Sequence, residues 1–505
     1  MSNTDNVGET MENNIILQYI GDRQCAVLGL GVSNLPLVRL LCTAGRVVRV
    51  YDKHTPEELG KDAVALRDGG VQFFQCGKSF EGIEGDLIFR SPGIRPDVDG
   101  IRAALSRGAE LISEIELFLR LTPAHTYALT GSDGKTTSTT LTGKFLEEQG
   151  KAEEYRTYVG GNIGQPLLTE CTKMSSADRA VLELSSFQLM TLDRSPSRVA
   201  ITNVSPNHLD WHRGMEEYID AKKRIIGADT RRFVTNCECE CTLDIAREVA
   251  GTDIEIVLFS SKKHSFSRIF EGIQPVGRAL AVYERDGYIW VCDGKEEQPA
   301  LDVSRIKLPG RHNLENYMTA IGLTWGDVSP DVYESVAESF YGVEHRLELV
   351  RSVDGVSYYN SSIDSSPTRT AAALSALSDR SIVLICGGYD KNIPYAPLAE
   401  AICTHGGIRA VVLTGATGDK IGREIELYEA AHGNTRDIPI YRDGDFTSAV
   451  CLARQIAREG DCVLLSPASA SFDAFKNFAE RGNTFKRIVM GFGGDATYFS
   501  FKKEK

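Results

Sequence analysis

The sequence predicts an α/β protein built from three units with mostly parallel sheets. Short apolar runs alternate with helix-like segments along most of the 505 residues. Most of these runs end in glycine or small polar residues, which is typical of buried parallel strands followed by loops. The length suits about three domains. We predict a disordered tail at 1–13, a Rossmann-like unit at 14–113, a central P-loop ATPase-like unit at 114–341 and a Rossmann-like unit at 342–505.

The composition excludes several classes of function. Hydrophobic residues make up 42% and charged residues 25% of the chain, as in ordinary globular proteins. The net charge of −13 argues against a nucleic-acid partner, because such proteins present a basic face. The N-terminal segment has no basic stretch followed by an apolar one, and no apolar run is long enough to cross a bilayer. We therefore expect a cytoplasmic protein without membrane insertion, and a monomer.

The first unit begins with parts of a dinucleotide-binding βαβ motif. Gly29-Leu-Gly31 follows an apolar run, and a second β-rich run ends at Asp52. In that motif the glycines approach phosphate and the acid binds ribose. Asn34 stands where the third glycine belongs, so a nucleotide-free Rossmann-like unit is an open alternative. A later strand ends in Ser91-Pro-Gly93, at the edge where open α/β sheets bind ligands.

Residues 127–137 predict a site for a nucleoside triphosphate. An apolar run leads into Gly131-Ser-Asp-Gly-Lys-Thr-Thr137, which opens a helical segment. Glycines bring backbone N–H groups to phosphate oxygens, and the helix N-terminus adds partial positive charge. Lys135 would contact the β- and γ-phosphates, and the Thr136 hydroxyl would ligate Mg²⁺. Because Leu129 replaces the first glycine of the usual spacing, a glycine turn that starts an ordinary helix is the alternative.

Two further apolar runs of the central unit lead to residues that suit a nucleotide–metal site. Glu183 ends one run, and His208 lies in the loop after the next. Carboxyl ends of parallel strands share one sheet edge, so both side chains are predicted to enter the crevice of Lys135. Each has an ordinary alternative as a solvated loop acid or a structural histidine. Lys222, in a helical segment, is by itself a surface lysine.

The pattern changes along the rest of the chain. Residues 231–308 are predicted as short strands and turns, with a hairpin turn at Asp286-Gly287. Within them, Cys237-Glu-Cys-Glu-Cys241 is interpreted as a reduced loop, because its spacing is too tight for a zinc knuckle; metal binding is the less favoured alternative. A helix is predicted from about 311 to 325. The last unit has four buried parallel strands, at 356–359, 381–386, 410–413 and 462–465.

Taken together, these segments resemble the Mur ligase family, the ATP-dependent amide-forming enzymes of peptidoglycan precursor synthesis. The resemblance rests on residues 131–137, 160–164, 182–188, 203–210, 221–222, 310–316, 344–348 and 465–473, which occur in the family's order. Leu182-Glu-Leu-Ser-Ser-Phe-Gln188 and Ser466-Pro-Ala-Ser-Ala-Ser471 are most particular to the D-glutamate-adding member. The resemblance covers all three predicted units.

The resemblance implies ATP-dependent ligation of D-glutamate to UDP-N-acetylmuramoyl-L-alanine, with ADP and phosphate as products. Phosphoryl transfer would convert the alanyl carboxylate into an acyl phosphate, which the amine attacks. Both steps develop negative charge that Lys135 and Mg²⁺ would stabilise. The alternatives are another Mur-type ligase, a folate polyglutamate ligase and a nucleotide-sensing protein without catalysis. The N-terminal Gly-x-Gly unit argues against the folate enzyme.

The resemblance also implies roles for individual residues. Lys135, Glu183, His208 and Lys222 would form the catalytic set. Thr136 and Glu183 would hold one Mg²⁺, and His208 and Lys222 a second. Lys222 would act as its carbamate, because a protonated amine cannot ligate a cation, and the adjacent Lys223 is the alternative. The ATP-binding residues would be Gly131, Ser132, Asp133, Gly134, Lys135, Thr136, Thr137, Asn313, Asn316 and Arg346. The uridine-substrate residues would be Val32, Ser33, Asp52, Lys53, Gly93 and Asn162, and the D-glutamate residues Ser365, Lys391, Ser471 and Phe478.

The chain departs from the family pattern in two loops. Ser361 and Ile363 stand where the family has an Asp and a Lys, and Asp364 is a candidate to replace the acid. Ser365 replaces a family threonine near D-glutamate. Asp133 replaces a more frequent asparagine of the phosphate loop, so we expect its side chain to face away from the phosphates or toward a metal or a cap.

Overall fold

The computed structural model describes residues 14–493 except 210, 309, 392 and 434–437. The predicted tail at 1–13 lies outside the described residues. The described residues form three sheets in two compact units, one unit ending at Ser339 and the other beginning at Phe340. Most strand pairs are parallel and helices connect them, so the predicted α/β class is confirmed. None of the helices in this described part is both long and apolar enough to span a membrane.

In the described part of the chain, the N-terminal sheet has five parallel strands. The strands are β1 (Cys25–Leu28), β2 (Val48–Asp52), β3 (Gln72–Gln75), β4 (Leu87–Arg90) and β5 (Glu110–Ile112), and the helices are α1 (Ile15–Ile20), α2 (Leu35–Thr43), α3 (Pro56–Leu59), α4 (Lys61–Asp68), α5 (Asp99–Ser106) and α6 (Glu114–Leu121). The order is β3-β2-β1-β4-β5. Every residue of β1 and β4 is buried, as expected for parallel strands that are covered on both faces.

Nine strands of the described chain form the central sheet. They are β6 (His125–Thr130), β7 (Thr157–Gly161), β8 (Arg179–Glu183), β9 (Arg198–Ile201), β10 (Arg232–Asn236), β11 (Glu255–Ser260), β12 (Ala279–Arg285), β13 (Tyr288–Cys292) and β14 (Glu297–Asp302). The α-helices are α7 (Lys135–Glu153), α8 (Ser186–Leu189), α9 (Met215–Lys223), α10 (Glu240–Val249), α11 (Phe266–Ile269), α12 (Arg311–Thr324) and α13 (Pro330–Ser339), and 3₁₀ helices lie at Leu168–Lys173 and Val303–Arg305. The order is β14-β13-β12-β11-β10-β9-β6-β8-β7.

One edge of the central sheet is antiparallel, in the stretch predicted as short strands with a hairpin turn. Strands β12, β13 and β14 pair antiparallel because their connections are too short for a crossover. The predicted hairpin turn is confirmed: Asp286 and Gly287 both have positive φ, at 52° and 80°. This is the geometry that a two-residue hairpin favours.

Two predictions for residues 231–308 hold only in part. Helix α10 occupies part of a stretch predicted as short strands and turns. Thr242, Ala246 and Val249 of this helix are buried, at the spacing of a helix that faces a core. Because α10 begins at Glu240, the Cys237-to-Cys241 segment is only partly a loop.

The cysteines bear on that segment as well. None of the twelve cysteines, all of which lie in described residues, is in a disulfide bond. Across 14–493, outside the gaps, no three His, Cys, Asp or Glu side chains converge on a possible metal position. The structure therefore gives no support to the alternative of a metal at Cys237, Cys239 and Cys241.

Within its described residues, the second unit contains one sheet of six strands. They are β15 (Glu348–Val353), β16 (Val356–Asn360), β17 (Ile382–Gly387), β18 (Ile408–Thr414), β19 (Ile440–Arg442) and β20 (Cys462–Leu465), with helices α14 (Pro367–Ala376), α15 (Ala396–Thr404), α16 (Gly418–His432), α17 (Phe446–Ile456) and α18 (Phe478–Met490). The order is β15-β16-β20-β17-β18-β19, and all pairs except β15–β16 are parallel. The four predicted buried strands are confirmed as β16, β17, β18 and β20.

Candidate active site

The carboxyl ends of three neighbouring strands bring the predicted catalytic loops together. In the central sheet β6 lies between β9 and β8, and its last residues pair with theirs, Leu129 with Glu183 and Thr130 with Ile201. The phosphate loop therefore emerges between the Glu183 loop and the loop that contains His208. This edge is where open α/β sheets bind ligands.

Two glycines allow the phosphate loop to fit between its neighbours. Gly131 has φ 147° and Gly134 φ 78°, which L side chains rarely adopt. A Cβ atom on Gly131 would lie 1.9 Å from Thr202 Oγ1, and one on Gly134 would lie 2.4 Å from Asn316 Oδ1. The loop is thus held tightly between the β9 loop and helix α12, so a larger residue at either position would displace it.

Lys135 begins helix α7 and folds back over the loop. Its Nζ donates to Gly131 O at 2.7 Å and to Ser132 O at 2.9 Å. Thr136 and Thr137 follow in the first helical turn and are half-buried. The N-terminus of this long helix supplies N–H groups and partial positive charge to the same place, as an anion site requires.

The remaining loop residues are bound to the loop after β9. Ser132 Oγ donates to Ser205 O at 2.9 Å and lies 3.0 Å from Tyr218 Oη. Asp133 N donates to Asn203 Oδ1 at 2.9 Å, and the exposed Asp133 carboxylate accepts from Ser205 Oγ at 3.4 Å. The Asp133 side chain thus lies toward the β9 loop.

Glu183 presents one unsatisfied carboxylate oxygen at this edge. The residue is 2% exposed, and its Oε1 accepts from Asn162 Nδ2 at 2.9 Å. Oε2 is buried and has no hydrogen-bond partner among the residues that the structure describes. A buried, unsatisfied oxygen is costly unless a ligand meets it. Asn162, predicted to contact the uridine substrate, is placed by the structure against Glu183.

Lys222 lies under the phosphate loop and Lys223 does not. Lys222 is 1% exposed, and its Nζ donates at 2.7 Å to Gly131 O, the carbonyl that also accepts from Lys135. Burial, aided by the charge of Lys135, lowers the pKa of Lys222 to about 6. Lys223 is more exposed and forms an ion pair with Glu248. Of the two candidate lysines, Lys222 is therefore the one beside the phosphate loop.

His208 sits on an aromatic cluster at the same edge. Its backbone has φ 54°, which is uncommon outside glycine, and its side chain is exposed. The imidazole ring lies 5.1 Å from the ring of Phe187, which belongs to α8, the short helix after Glu183. The loops of Glu183 and His208 therefore meet through this ring contact.

Asn313 and Asn316 form a buried pair on α12 beside the phosphate loop. Asn316 Oδ1 accepts from Ser138 Oγ at 3.1 Å, and Asn316 Nδ2 donates to Asn313 Oδ1 at 3.1 Å. Both residues were predicted to contact ATP. The structure places Asn316 against Gly134, at the start of α7.

All the predicted uridine-substrate residues except Asn162 lie at the carboxyl edge of the N-terminal sheet. Val32, Ser33 and Lys53 lie in loops after β1 and β2, and Val32 is 75% exposed. Asp52 accepts from Leu30 N at 2.9 Å, so the acid is bound to the Gly-x-Gly loop. This set lies on a different sheet from the phosphate loop.

Asn34 explains the missing third glycine. It is fully buried, and its Nδ2 donates to Gly29 O at 2.9 Å. The side chain thus braces the loop from within, where a glycine would leave that carbonyl without this donor.

Two arginines that the sequence reasoning missed join the N-terminal sheet to the central loops. Arg90, fully buried, donates to Phe187 O at 3.0 Å and to Ile94 O at 2.6 Å, and burial lowers its pKa to about 10. Arg95 donates to Trp211 O at 2.8 Å. A signal existed for Arg90, because a charged residue that ends a buried apolar strand is rare without a specific partner.

The second unit holds the other predicted residues at the carboxyl edge of its own sheet. Arg346, Lys391 and Phe478 are exposed, Ser365 is half-buried and Ser471 is buried. Asp364, the candidate substitute acid, is buried and accepts from Ser466 Oγ at 2.9 Å; burial raises its pKa.

Another missed residue, Arg481, organises the loops of this edge. It is buried and donates to Ser362 Oγ, Ala470 O and Ser469 O, each at 3.0 Å. Burial lowers its pKa to about 10. The sequence offered no distinct signal for it, because an arginine on an amphipathic helix is usually exposed.

Comparison with known proteins identifies the family. Residues 129–324 match the Mur ligase middle domain, and residues 345–469 match the Mur ligase, glutamate ligase domain. The UDP-N-acetylmuramoylalanine–D-glutamate ligase of Ruminiclostridium cellulolyticum is 42% identical over 94% of this chain and 99% of that relative. The enzyme of the same name from Clostridium beijerinckii is 43% identical over 94% of this chain and 97% of that relative.

Solved structures with low sequence identity share the fold. The UDP-N-acetylmuramate-alanine ligase of Thermotoga maritima superposes with a TM-score of 0.52 at 17% identity, covering 93% of this chain and 99% of that chain. A UDP-N-acetylmuramoyl-L-alanyl-D-glutamate–2,6-diaminopimelate ligase gives a TM-score of 0.51 at 14% identity, covering 92% of each. The sequence and domain matches show that the chain belongs to the Mur ligase family of ATP-dependent, amide-forming ligases.

Proposed function

We propose that this protein joins D-glutamate to the alanyl carboxylate of UDP-N-acetylmuramoyl-L-alanine during peptidoglycan precursor synthesis. The γ-phosphate of ATP would pass to that carboxylate, which gives an acyl phosphate and ADP. The amine of D-glutamate would then attack the acyl carbon and displace the phosphate. Family membership favours this ligase interpretation over a nucleotide-sensing one. The names of the relatives favour these substrates over those of other Mur-type ligases.

One observation carries the proposal. The phosphate loop, Glu183 and Lys222 meet at one sheet edge, where Lys135 and Lys222 donate to the same carbonyl. An anion-binding helix terminus, a buried acid, the half-buried amine of Lys135 and the buried amine of Lys222 at one place suit phosphoryl transfer, which depends on positioning and on electrostatic stabilisation. Lys135, at the helix N-terminus, would hold the β- and γ-phosphates in this arrangement.

The residues present fit a magnesium ion at the nucleotide. The unsatisfied Glu183 Oε2 and the Thr136 hydroxyl are hard oxygen donors of the kind that Mg²⁺ prefers. When bound there, Mg²⁺ would neutralise charge on the β- and γ-phosphates. Asn162 would keep Glu183 oriented through its bond to Oε1.

A second magnesium site needs an additional oxygen ligand. His208 and Lys222 offer an imidazole and an amine, which are poor donors for Mg²⁺. A lysine whose pKa is about 6 is mostly neutral at pH 7 and can attack carbon dioxide. The amine nitrogen bonds to the carbon and loses a proton, so the product carbamate carries one negative charge that is shared by two oxygen atoms, either of which can ligate a cation. This chemistry supports Lys222 as the modified residue.

We assign the other two sheets to the remaining substrates. The N-terminal sheet would bind the uridine diphosphate through Val32, Ser33, Asp52, Lys53 and Gly93, in a unit predicted at 14–113. The central unit at 114–341 would bind ATP. The unit at 342–505 would bind D-glutamate through Ser365, Lys391, Ser471 and Phe478, and Arg346 would contact the phosphates of ATP. A cation suits the D-glutamate carboxylates.

Phosphate release with a panel of amino acids tests the proposal. The assay combines the full chain, ATP, Mg²⁺ and UDP-N-acetylmuramoyl-L-alanine with D-glutamate, L-glutamate, meso-diaminopimelate or L-lysine. We expect turnover with D-glutamate and none without the uridine substrate. Turnover with another amino acid alone would reassign the substrate, and the absence of any turnover would overturn the proposed function.

A further inference from the structure

Three side chains next to the catalytic loops lie in a row, joined by one hydrogen bond and one ion-pair contact. His212 Nε2 lies 2.9 Å from Ser186 Oγ, the first residue of α8. The other ring nitrogen, Nδ1, lies 3.3 Å from Glu217 Oε2 on α9, the helix that also carries Lys222. Ser186 and His212 are both buried. The order is thus serine, histidine, glutamate, with the imidazole in the middle.

The far end of this chain is fixed by Arg95. Its guanidinium reaches both oxygens of Glu217, at 2.8 and 3.1 Å, and also pairs with Asp97. The ring of Trp211 lies against the guanidinium, with its centroid 4.9 Å from Arg95 Cζ. Hydrogen bonding to Arg95 lowers the pKa of Glu217 to about 2, so this carboxylate is ionised at neutral pH. Arg95 follows β4, next to the predicted uridine-substrate turn at Gly93.

Chemistry sets the tautomer of His212 and the direction of its hydrogen bond to Ser186. Nδ1 has no hydrogen-bond partner among the described residues, but it lies 3.3 Å from an ionised carboxylate oxygen of Glu217, and this charge favours the tautomer with the hydrogen on Nδ1. With the hydrogen on Nδ1, Nε2 is left as the acceptor, 2.9 Å from Ser186 Oγ. The hydroxyl of Ser186 therefore donates to Nε2. This arrangement locks the rotamer of Ser186 and the histidine tautomer together.

The same histidine supports the aromatic cluster of His208. The His212 ring stacks on Phe187 at 5.6 Å between centroids and 13° between planes. Phe187 also contacts Trp211 at 4.5 Å and His208 at 5.1 Å. Ser186 and Phe187 are consecutive, so a bond to one and a stack on the other hold the same turn from two sides.

We propose that His212 is a positioning residue that orients the Ser186–Phe187 turn and, through Phe187, the exposed ring of His208. The inference rests on the proposed function, in which His208 is a metal ligand. His208 itself has a strained backbone and an exposed side chain, so its orientation depends on what packs beneath it. His212 provides this support from the protein interior, and Arg95 ties it to the N-terminal sheet.

A matched pair of amide variants tests the role of the Nε2 atom. Both His212→Gln and His212→Asn remove the ring, but the Gln carboxamide can reach the Nε2 position and accept from Ser186, whereas Asn stops at the Nδ1 position. We expect kcat with D-glutamate to fall about tenfold further in His212→Asn than in His212→Gln, the size of one hydrogen bond. Equal kcat values in the two variants would overturn the proposal.

A metal readout separates positioning from simple loss of stability. Mn²⁺ is titrated into the substrate-free protein at constant bicarbonate, and free Mn²⁺ is followed by electron paramagnetic resonance. We expect half-saturation at a several-fold higher concentration in His212→Asn than in His212→Gln or the wild type, with the KM for ATP within about twofold of the wild type. An unchanged Mn²⁺ midpoint in folded His212→Asn would overturn the proposal.

A double-mutant cycle checks that the effect passes through Ser186. If Ser186→Ala and His212→Asn break the same bond, the double variant should be no slower than the worse single variant. If instead the fold-reductions in kcat of the two single variants multiply in the double variant, the proposed link through Ser186 and His212 is overturned. The wild type is assayed beside the variants, so that failure of the proposed function can be told from failure of this inference. If the wild type shows no turnover, the proposed function is rejected. If the wild type turns over but the fold-reductions in kcat of the single variants multiply in the double variant, only this inference is rejected.

Discussion

The carboxyl edge of the central sheet and that of the second unit's sheet treat buried charge differently. At the central edge, Glu183 keeps an unsatisfied oxygen and Lys222 lies buried with a strongly lowered pKa. At the other edge, the Arg481 guanidinium donates hydrogen bonds to a loop carbonyl and a hydroxyl, and the Asp364 carboxylate accepts one from Ser466. The predicted ligand residues there, such as Lys391, are exposed.

The difference indicates a division of labour between the two edges. Unmet hydrogen-bonding capacity in a buried place costs stability and is retained where charge must be stabilised during a reaction. A satisfied edge with exposed ligand residues contributes binding, because those residues interact alike with the ground state and the transition state. Substitutions at the central edge should therefore reduce kcat, and those at the second edge should raise KM.

The largest effect is expected from Lys135→Ala. Removal of the amine that would hold the phosphates should reduce turnover by about a thousandfold, the upper range for one preorganised donor. Binding of the uridine substrate, measured by calorimetry, should remain within about threefold because all of its predicted residues except Asn162 lie on another sheet. Loss of both turnover and uridine binding would mean that the two ligand sites have been misplaced.

The neighbouring lysines give a matched comparison. Lys222→Ala should reduce kcat about a hundredfold, because the buried amine and its carbamate are lost. Lys223→Ala should stay near the wild type, since that residue pairs with Glu248 at the surface. Intact-protein mass in bicarbonate should show one added carbon dioxide in the wild type and in Lys223→Ala only. An adduct that survives in Lys222→Ala would reassign the modified residue.

At the second edge, Lys391→Ala should act on affinity. Loss of an exposed cation that would meet a substrate carboxylate should raise the KM for D-glutamate about tenfold, with kcat changed less than threefold. Lys420, exposed and paired with Asp390, offers a control at which substitution should leave both values unchanged. A fall in kcat without a change in KM would place Lys391 in the chemistry and remove the contrast between the edges.

The effect expected to be smallest on activity at neutral pH concerns stability and its dependence on pH. The folded-state pKa of Lys222, about 6, lies below the ordinary lysine value of 10.5, so between these values the unfolded chain binds more protons. The stability of the unmodified wild type should therefore rise with pH across this window, by at most about 1.4 kcal/mol per unit. Lys222→Met lacks this proton uptake. Its free energy of unfolding in urea, measured without bicarbonate, should exceed that of the wild type most near pH 6, and the excess should shrink toward pH 10. An excess that does not change with pH would contradict a buried, neutral amine at Lys222.

Much of the central site could be predicted because its signals are local. Glycines, Lys135 and Thr136 follow one strand, and Glu183 ends another, so strand adjacency was the remaining assumption. The parallel order of β9, β6 and β8 supplied it. Helix α10 was missed because the alternating cysteines and glutamates before it resemble a loop, although the buried positions further along have helical spacing.

Contacts between sheets could not be predicted from local patterns. Arg90 and Arg95 donate hydrogen bonds to residues about a hundred positions away in the sequence. No neighbouring sequence pattern identifies Phe187 or Glu217 as the partner. The same holds for His212, whose bond to Ser186 depends on how two loops approach. Such residues become visible only when tertiary packing brings distant segments together.

Lys135 and Lys222 share one acceptor, the carbonyl oxygen of Gly131, and this affects how mutations at the two positions are interpreted. This oxygen accepts from the amines of Lys135 and Lys222, each at 2.7 Å, so the two nitrogens are at most twice that distance apart. Replacing either lysine changes the electrostatic surroundings of the other. The two positions should therefore show epistasis, and a loss-of-function allele at one cannot be assigned to that residue's own contacts until its partner has been varied in the same background.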